Sequence, residues 1–393
     1  MTDQTKYVYD LNEGDASLKS LLGGKGANLA EMNRIGVPVP DAFTVTTQAC
    51  VAAMNNNGEW PAGLREQVEA ALDRLEERTG KVLGSTTNPL LVSIRSGAVF
   101  SMPGMMDTVL NLGISDDTVE AVAALADGNE RFAWDCYRRF IQMYGEVVEG
   151  VDQYVFEDAL TEAKAAKGVE NDTDLDAADL KALTLHFKEL ANEALGGHWT
   201  TDPREQLMRA INAVFLSWNN PRAEVYRRAN GISRDLGTAV NVQQMVFGNR
   251  GETSATGVCF SRNPSTGVKE LYGEFLTNAQ GEDVVAGIRT PRPLAEMESE
   301  LPDAFHELLA TMDKLELHNK DLQDMEFTIE DKKLYMLQTR NGKRTAAAAM
   351  KIACDLVDEG MITEEEAVAM IDPKSLDSLL HPTFDPAALK KAK

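Results

Sequence analysis

The stretch that decides the fold is Asp324-Met-Glu-Phe-Thr-Ile-Glu-Asp-Lys-Lys-Leu-Tyr-Met-Leu-Gln-Thr-Arg340, which has the pattern of one β-hairpin. Residues two apart on a strand share a face, so Asp324 and Glu326 project together, and on the return strand Gln338 and Arg340 do the same. Carboxylate oxygens suit Mg²⁺, and a guanidinium binds phosphate through paired hydrogen bonds. The hairpin is therefore predicted to hold a metal-bound polyphosphate. The competing interpretation is a cross-strand salt bridge on a solvated face.

The length of the turn decides whether these groups can share a face. For Glu326 and Gln338 to share a face, the reversal must have an odd number of residues, and the simplest is a three-residue loop at 331–333. That loop gives the pairs Glu330 with Leu334, Glu326 with Gln338, and Asp324 with Arg340. A two-residue turn at 331–332 would put the acids and their intended partners on opposite faces. No glycine supplies the left-handed residue that three-residue loops favour.

Composition indicates a globular protein of two or three domains, with 393 residues, 43% of them hydrophobic and 26% charged. The formal net charge of −23 disfavours broad contact with nucleic acid or an anionic membrane. The four cysteines show no paired spacing, so we expect reduced, buried thiols. The N-terminus lacks the apolar core of a signal peptide, and no run reaches the roughly 18 apolar residues of a membrane span, which predicts a cytoplasmic protein.

The order of patterns along the chain predicts an α+β fold with five segments. Residues 1–112 alternate strands and helices, 113–200 form a helical insert, and 201–237 add helices that complete the first lobe. Asp202, Pro203 and Glu205 announce a helix that runs through Trp218. Residues 238–344 are β-rich and form a second lobe. Residues 345–393 contain helices, one of them starting with the capping box Thr363 to Glu366, and a connecting tail.

Three segments of the first lobe are candidates for phosphate binding. Gly23-Gly-Lys25-Gly26 places a lysine among glycines where a helix begins, although a tight turn explains the glycines equally well. Arg95 ends an apolar strand, where a purely structural arginine is the alternative. The segment Ser101-Met-Pro-Gly104-Met-Met-Asp-Thr108 suits a flexible phosphate cover with exposed N–H groups.

Two segments of the second lobe are weaker candidates. Thr253-Ser-Ala-Thr256-Gly257 resembles a loop that closes over phosphates, but hairpin chemistry also accounts for it. Asn278-Ala-Gln-Gly-Glu282-Asp283 brings amides and acids together, either for a ribose or metal or simply as a solvated turn. None of the five histidines has ligand spacing or a catalytic setting.

Taken together, these segments resemble the N-terminal nucleotide-binding region of the pyruvate phosphate dikinase family. The matching runs extend in order over nearly the whole chain. They are Gly23-Gly-Lys-Gly-Ala-Asn-Leu-Ala-Glu-Met, Val92-Ser-Ile-Arg-Ser-Gly-Ala, Ser101-Met-Pro-Gly-Met-Met-Asp-Thr-Val-Leu-Asn-Leu-Gly, Arg138-Arg-Phe-Ile-Gln-Met-Tyr-Gly, Ser217-Trp-Asn-Asn-Pro-Arg-Ala, Asn278-Ala-Gln-Gly-Glu-Asp-Val-Val-Ala-Gly-Ile-Arg-Thr-Pro and Gln338-Thr-Arg-Asn-Gly-Lys-Arg-Thr.

The resemblance implies an ATP-grasp fold with MgATP held in a cleft between two lobes. Lys25, Arg95 and Arg340 match the family's phosphate-binding positions and are the expected catalytic residues. Asp324, Glu326 and Gln338 match positions that serve Mg²⁺ or the nucleotide. The further nucleotide-site positions implied by the match are Gly104, Thr256, Gly257, Glu282 and Asp283.

The resemblance also implies a reaction that needs a second domain. In the family, the β-phosphoryl of MgATP passes to a carrier histidine, with inorganic phosphate as co-substrate and AMP and pyrophosphate as products. No Thr-x-x-x-Ser-His carrier motif occurs here, so we expect a module that acts on a histidine domain of another chain or of a missing C-terminal part. One alternative is a non-catalytic ATP-binding subunit of a split dikinase. Another is a different acceptor, as in the related phosphoenolpyruvate synthases and rifampin phosphotransferases.

Overall fold

The structure is a computed structural model that describes residues 5–285 and 289–380. The predicted linker beyond Leu380 lies outside these residues, as does the side chain of Glu282. The chain divides into two compact units, Met1–Arg250 and Gly251–Lys393. Each unit combines helices with an antiparallel sheet, which makes the fold class α+β as predicted.

The first unit is built around an antiparallel sheet. Its strands are β1 (Val8–Asp10), β2 (Ala42–Val45), β3 (Val82–Leu83), β4 (Pro89–Leu90), β5 (Val92–Gly97), β6 (Thr108–Leu112) and β7 (Ala239–Gln244). Five of them, as far as the structure is described, lie side by side in the order β1-β2-β7-β5-β6. The short strands β3 and β4 form a separate parallel pair. Strand β5 thus has a neighbour on each side, β7 and β6.

Strand β7 corrects the predicted boundary at residue 238. The sequence analysis assigned this strand to the second lobe, whereas it pairs with β2 and β5 in the first sheet. Five of its six residues are buried, as expected of a strand with neighbours on both sides. The sequence revealed the strand but not its partners, because pairing depends on residues about 150 to 200 positions earlier, Val92–Gly97 and Ala42–Val45.

The described part of this unit also contains helices, four of which lie within the predicted helical insert at 113–200. They are α1 (Lys19–Arg34), α2 (Thr47–Asn55), α3 (Leu64–Thr79), α4 (Val119–Leu125), α5 (Glu130–Val147), α6 (Gln153–Lys167), α7 (Ala177–Ala194), α8 (Pro203–Ser217) and α9 (Pro221–Ala229). The predicted start of α8 is confirmed, because the Asp202 side chain accepts hydrogen bonds from the backbone N–H groups of Arg204 and Glu205. One apolar core joins the sheet to α5, α7 and α8.

A buried charge cluster crosses α5. Asp135 accepts hydrogen bonds from Arg138 at 2.8 Å and from Arg139 at 3.0 Å. Burial alone would raise the pKa of Asp135, but the positive charges of Arg139 and Arg138 hold it well below its usual range. Asp135 therefore stays ionised at neutral pH and serves as the partner of both arginines.

The second unit has a sheet of its own. Its strands are β8 (Ala255–Phe260), β9 (Tyr272–Thr277), β10 (Arg292–Pro293), β11 (Gln323–Glu330) and β12 (Lys333–Asn341), in the antiparallel order β10-β9-β8-β11-β12 within the described part. Its helices are α10 (Gly281–Val285), α11 (Met297–Glu300), α12 (Pro302–Asn319), α13 (Ala346–Asp358) and α14 (Glu364–Met370). The predicted Thr363 to Glu366 capping box begins α14, which confirms that helix start.

A fully buried arginine ties the C-terminal helices of this unit to its sheet. Arg262 follows β8 and donates to Glu316 of α12 at 2.9 Å and to Glu359, just after α13, at 2.7 Å. Burial would lower the pKa of Arg262, but its bonds to Glu359 and Glu316 raise it above the usual value. Arg262 thereby holds the C-terminal end of α13, which is the first helix of the predicted linker.

The cysteine prediction is only partly right. Cys50, Cys136 and Cys259 are free and buried, whereas Cys354 on α13 is exposed.

No helix in residues 5–285 or 289–380 combines the length and apolar character that a membrane crossing requires.

Candidate nucleotide site

Strands β11 and β12 bring the four hairpin residues together as two facing pairs. Glu326 lies opposite Gln338 and Asp324 opposite Arg340, as predicted. Gln338 Nε2 donates to Glu326 Oε1 at 3.1 Å, and Arg340 Nε donates to Asp324 Oδ2 at 2.7 Å. Asp324 and Gln338 are buried, while the Arg340 side chain is 39% exposed. The cross-strand salt bridge and the shared polar face therefore coexist.

The predicted three-residue loop is wrong. Asp331 and Lys332 form a two-residue turn in which both residues have positive φ, 48° and 70°, and Glu330 faces Lys333 instead of Leu334. Positive φ at both central positions is the type I′ pattern, which matches the twist of a hairpin. The shared face survives because the register shifts between Glu326 and Phe327, where Leu337 is an extra, bulged residue.

Apolar pairing explains why the chain adopts the turn with a bulge. The observed register sets Ile329 opposite Leu334 and Phe327 opposite Met336, and all four side chains are fully buried. The predicted loop would instead have faced Leu334 with a glutamate and Met336 with a threonine. On β12 the even positions change from apolar, at 334 and 336, to polar, at 338 and 340. In a regular strand all four even positions would lie on the same face as Leu334 and Met336. A bulge is required to place Gln338 and Arg340 on the opposite face.

The predicted phosphate loop at Thr256 and Gly257 is not a loop. Both residues lie in β8, paired on one side with β9 and on the other with β11. Thr256 lies opposite Thr328 and donates to the Phe327 carbonyl at 3.2 Å. As a central strand, β8 forms backbone hydrogen bonds with a neighbour on each side. Its threonine and glycine, which suggested a turn, pack against the adjacent strands instead. A Cβ on Gly257 would lie 2.5 Å from the Phe327 ring, so the glycine makes room for that ring.

Asp283 lies in the short helix α10, whose first residue, Gly281, is near Thr256. Its carboxylate accepts a hydrogen bond from the Gln280 backbone N–H at 2.9 Å, and it is buried. A Cβ on Gly281 would come within 3.9 Å of Thr256 Oγ1. The structure therefore places Asp283 close to the strand that neighbours the hairpin and gives its carboxylate a capping bond.

The hairpin has the donor set that a hard cation prefers. Glu326 and Asp324 supply carboxylate oxygens, and Gln338 supplies an amide oxygen. Gln338 Oε1 is buried and accepts no hydrogen bond from any described atom. Such an orphaned acceptor suits a metal ion, so these residues fit Mg²⁺. Nowhere in the described ranges do three or more His, Cys, Asp or Glu side chains cluster as metal ligands. Mg²⁺ commonly takes one or two carboxylates and completes its coordination with water and substrate phosphates.

The thiol of Cys259 lies in β8, next to this sheet position, but is chemically quiet. Burial, and secondarily the charge of Asp324, raises the pKa of Cys259 above its usual value. The thiol stays protonated at neutral pH and offers no nucleophile to the site.

In the first unit, Lys25 begins a helical run that the sequence located correctly. Gly23 interrupts α1 with φ 67° and ψ 175°, so the helix restarts after it. Gly24 N donates to the Ala98 carbonyl at 2.9 Å, and a Cβ on Gly23 would lie 1.6 Å from the Gly97 carbonyl oxygen. Glycine is required for this contact between α1 and the end of β5. Lys25 is thereby brought beside the strand that carries Arg95.

Arg95 lies on a polar stripe that the sequence analysis missed. Its Nη1 donates to Gln243 Oε1 at 3.4 Å, and its cross-strand partner on β7 is Asn241. Asn241 is fully buried, and a Cβ on Gly26 or Gly97 would lie 2.8 or 2.7 Å from its amide. The sequence does contain a signal for this stripe, because polar Asn241 and Gln243 alternate with valines in β7.

Gly104 lies in the connection between β5 and β6, close in sequence to Arg95. Its φ is 70°, and a Cβ there would meet no atom within 4 Å. Thr108, the first residue of β6, lies opposite Arg95. The loop around Gly104 therefore joins β5, which carries Arg95, to β6, and Lys25 lies against Gly97 at the end of β5. The binding of phosphate by these groups stays a prediction.

Comparison with known proteins identifies the family of the chain. The chain matches the family model described as pyruvate phosphate dikinase, AMP/ATP-binding domain, over residues 19–79, 56–302 and 295–361. It is 60% identical over 386 residues to a pyruvate, phosphate dikinase of Clostridium symbiosum, covering 98% of this chain and 44% of that protein. It is 56% identical over 399 residues to the pyruvate, phosphate dikinase of Rhizobium meliloti (strain 1021), and the match covers 98% of this chain and 44% of that protein. A chloroplastic relative from Flaveria trinervia is 52% identical over 380 residues, covering 96% and 40%.

The chain belongs to the pyruvate phosphate dikinase AMP/ATP-binding domain family. It spans less than half the length of the curated relatives it matches.

Proposed function

We propose that the chain is an ATP-binding phosphotransferase module with the ATP-grasp fold. It would transfer the β-phosphoryl group of MgATP to a carrier histidine on another domain or chain. Inorganic phosphate would be the co-substrate, and AMP and pyrophosphate would be the products. The proposal extends to this chain an activity of the kind that the names of its relatives state, pyruvate, phosphate dikinase.

The observation that carries the proposal is the pair of facing contacts on the hairpin. Asp324 and Glu326 share a face with Gln338 and Arg340, and the Gln338 amide oxygen accepts no hydrogen bond from the part of the chain that the structure describes. When bound, Mg²⁺ would neutralise phosphate charge and orient the oxygens that it contacts. Arg340 would release Asp324 to the metal and turn its guanidinium to a phosphate oxygen.

Lys25 and Arg95 would supply the remaining positive charge. Phosphoryl transfer depends mainly on positioning and charge neutralisation, so no covalent residue of this chain is required. Gly104 would cover the phosphates with backbone N–H groups. Thr256 and Asp283 would border the nucleotide, and Gly257 would act through the packing of Phe327. Glu282 stays a predicted ligand on the basis of sequence alone.

The direct test uses ATP labelled at the β-phosphate, together with Mg²⁺, inorganic phosphate and a separately expressed carrier-histidine domain. Acid-labile, base-stable label on the carrier and stoichiometric AMP are expected. The matched control is Arg340→Ala, which should bind the carrier normally but transfer little label. Absence of both phosphohistidine and AMP would refute the proposal.

The alternative of a non-catalytic ATP-binding subunit gives a different result in the same assay. It predicts MgATP binding at ordinary affinity with no AMP formed beside any carrier. No contact in the described residues favours that alternative over transfer.

A further inference from the structure

One sequence run of the family match, Ser217-Trp-Asn-Asn-Pro-Arg-Ala, has no part in the site described so far. It forms the junction of α8 and α9, from Ser217 to Arg222, in the first unit. Three of its polar side chains contact one residue, Asp107. Asp107 is the last residue of the loop that carries Gly104 and directly precedes β6.

Three side chains of the junction hold the base of this loop. Asn220 Nδ2 donates to Asp107 Oδ2 at 3.0 Å, and Arg222 Nη2 donates to Asp107 Oδ1. The Asp107 backbone N–H donates to Ser217 Oγ at 3.4 Å. Arg222 Nε also donates to the Met105 carbonyl at 3.2 Å. Both carboxylate oxygens and the amide of one residue are thus engaged by a single helix junction.

Apolar packing fixes the loop at a second point. Met102 is buried against Trp218 and Ala223 in a small cluster that is separate from the main core. Trp218 is itself held in place, because its indole N–H donates to the Arg234 carbonyl at 2.8 Å and the Arg227 guanidinium lies 4.3 Å from its ring centroid. The junction is therefore a rigid surface against which the loop rests.

The tip of the loop lacks this support. Pro103 and Gly104 are exposed, and no atom lies within 4 Å of the position where a Cβ on Gly104 would stand. A loop with fixed ends and an open glycine tip can move its backbone N–H groups without losing its anchors. A loop that is loose at its base would have to order more residues each time it closed, at an entropic cost.

We propose that the α8–α9 junction is a clamp for the Ser101–Asp107 loop, and that Asp107 is the positioning residue through which it acts. The clamp holds the base so that the glycine tip closes over the terminal phosphates of ATP. This inference rests on the proposed function. It assigns a role to the Ser217–Ala223 run and predicts that clamp defects affect ATP and spare AMP, which lacks the phosphates under the tip.

The first arm of the test measures the clamp without nucleotide. Chymotrypsin cleaves after Phe100, which is 52% exposed at the foot of the loop, and the fragments are identified by mass. Asn220→Asp sets two carboxylates side by side and is expected to speed this cleavage roughly tenfold or more, because cleavage follows the population of the released loop. Asp107→Asn should have a smaller effect.

Two further variants make this arm specific. In the double variant Asp107→Asn with Asn220→Asp, donor and acceptor are exchanged, and cleavage should return toward the wild-type rate. Asn192→Asp introduces the same charge change at an exposed position of α7 and should leave cleavage unchanged. If Asn220→Asp is cleaved no faster than Asn192→Asp, the clamp is refuted.

The second arm measures the dissociation constants of MgATP and of AMP by calorimetry on the full chain. Asn220→Asp should weaken MgATP binding severalfold, leave AMP binding near the wild-type value, and be rescued by the double variant. Equal weakening of both nucleotides, or no weakening despite faster cleavage, would overturn the closing role. If the wild-type chain binds no MgATP, both the proposed function and the closing role are refuted. The cleavage measurement still decides separately whether the clamp exists.

Discussion

The two sheets place their predicted site residues in opposite ways. In the first unit, Lys25, Arg95 and Gly104 come from a helix, a strand and a loop, and the contact between Gly23 and Gly97 fixes α1 against the end of β5. On β11 and β12 in the second unit, four residues of one hairpin hold one another in two side-chain pairs. The first arrangement is fixed by backbone packing and the second by charge and hydrogen bonding. Mutations that add volume should therefore damage the first, and mutations that change charge should damage the second.

The largest effect is expected from Gly23→Ala. The new Cβ would overlap the Gly97 carbonyl in a left-handed backbone, so the free energy of unfolding should fall by roughly 3 kcal/mol or more. The control is Gly58→Ala, which has the same backbone hand, with φ 88°, but no atom within 4 Å. Its loss should be about 1–2 kcal/mol. Urea unfolding of both variants checks the difference, and equal losses would show that the contact with Gly97 is unimportant.

The next effect is expected from Arg340→Ala. Loss of a charge-assisted phosphate contact should cost about 2–4 kcal/mol of transition-state stabilisation, measured as the rate of AMP formation. The variant also leaves the nearly buried Asp324 without its partner, so a stability measurement must accompany the kinetics. Arg292→Ala removes an exposed arginine of the same unit and should leave the rate unchanged. An Arg340 variant with normal AMP formation would remove that residue from the site.

A smaller effect is expected from Glu326→Gln. The new side chain keeps an oxygen that can accept from Gln338 Nε2, so the hairpin should stay intact. The Mg²⁺ concentration that gives half-maximal rate should rise roughly tenfold, equivalent to about 1.4 kcal/mol of binding free energy. Glu330→Gln is the matched control at the turn end of β11. If the two variants have the same Mg²⁺ dependence, Glu326 is not a metal ligand.

The smallest effect is expected from Lys332→Gly in the type I′ turn. Lys332 has φ 70°, and glycine relieves that left-handed strain while making the unfolded chain more flexible. The net gain in unfolding free energy should be about 0.5 kcal/mol, with no change in AMP formation. Lys333→Gly, one residue into the strand, should instead destabilise the hairpin. A loss at 332 as large as at 333 would contradict the assigned turn.

Local signals in the sequence predicted local structure well. Asp202 and Thr363 start helices because a side-chain cap depends only on the next three residues. The facing pairs Glu326 with Gln338 and Asp324 with Arg340 were predicted correctly but from a three-residue loop that is absent, because the two-residue turn and the bulge together give the same pairs. The bulge at Leu337 was missed, although the change from apolar to polar at even positions of β12 signals it.

Features that depend on distant residues were not predictable in this way. The place of β7 in the first sheet is set by its pairing with β2 and β5, and one sequence does not reveal partners so far apart. Asn241 and Asp107 were missed for the same reason, because their roles come from glycines and a helix junction more than 90 residues away. Thr256 and Gly257 have the composition of a turn, but sheet neighbours on both sides make them strand residues.

The bulge also determines which changes in chain length the hairpin can absorb. Removal of Leu337 would leave Met336 followed directly by Gln338, a regular ladder in which every observed facing pair persists. Removal of Thr339, two positions away, would bring Arg340 opposite Met325 and turn its guanidinium into the apolar side of the sheet. Single-residue deletions in this strand should therefore be tolerated at 337 and selected against at 339.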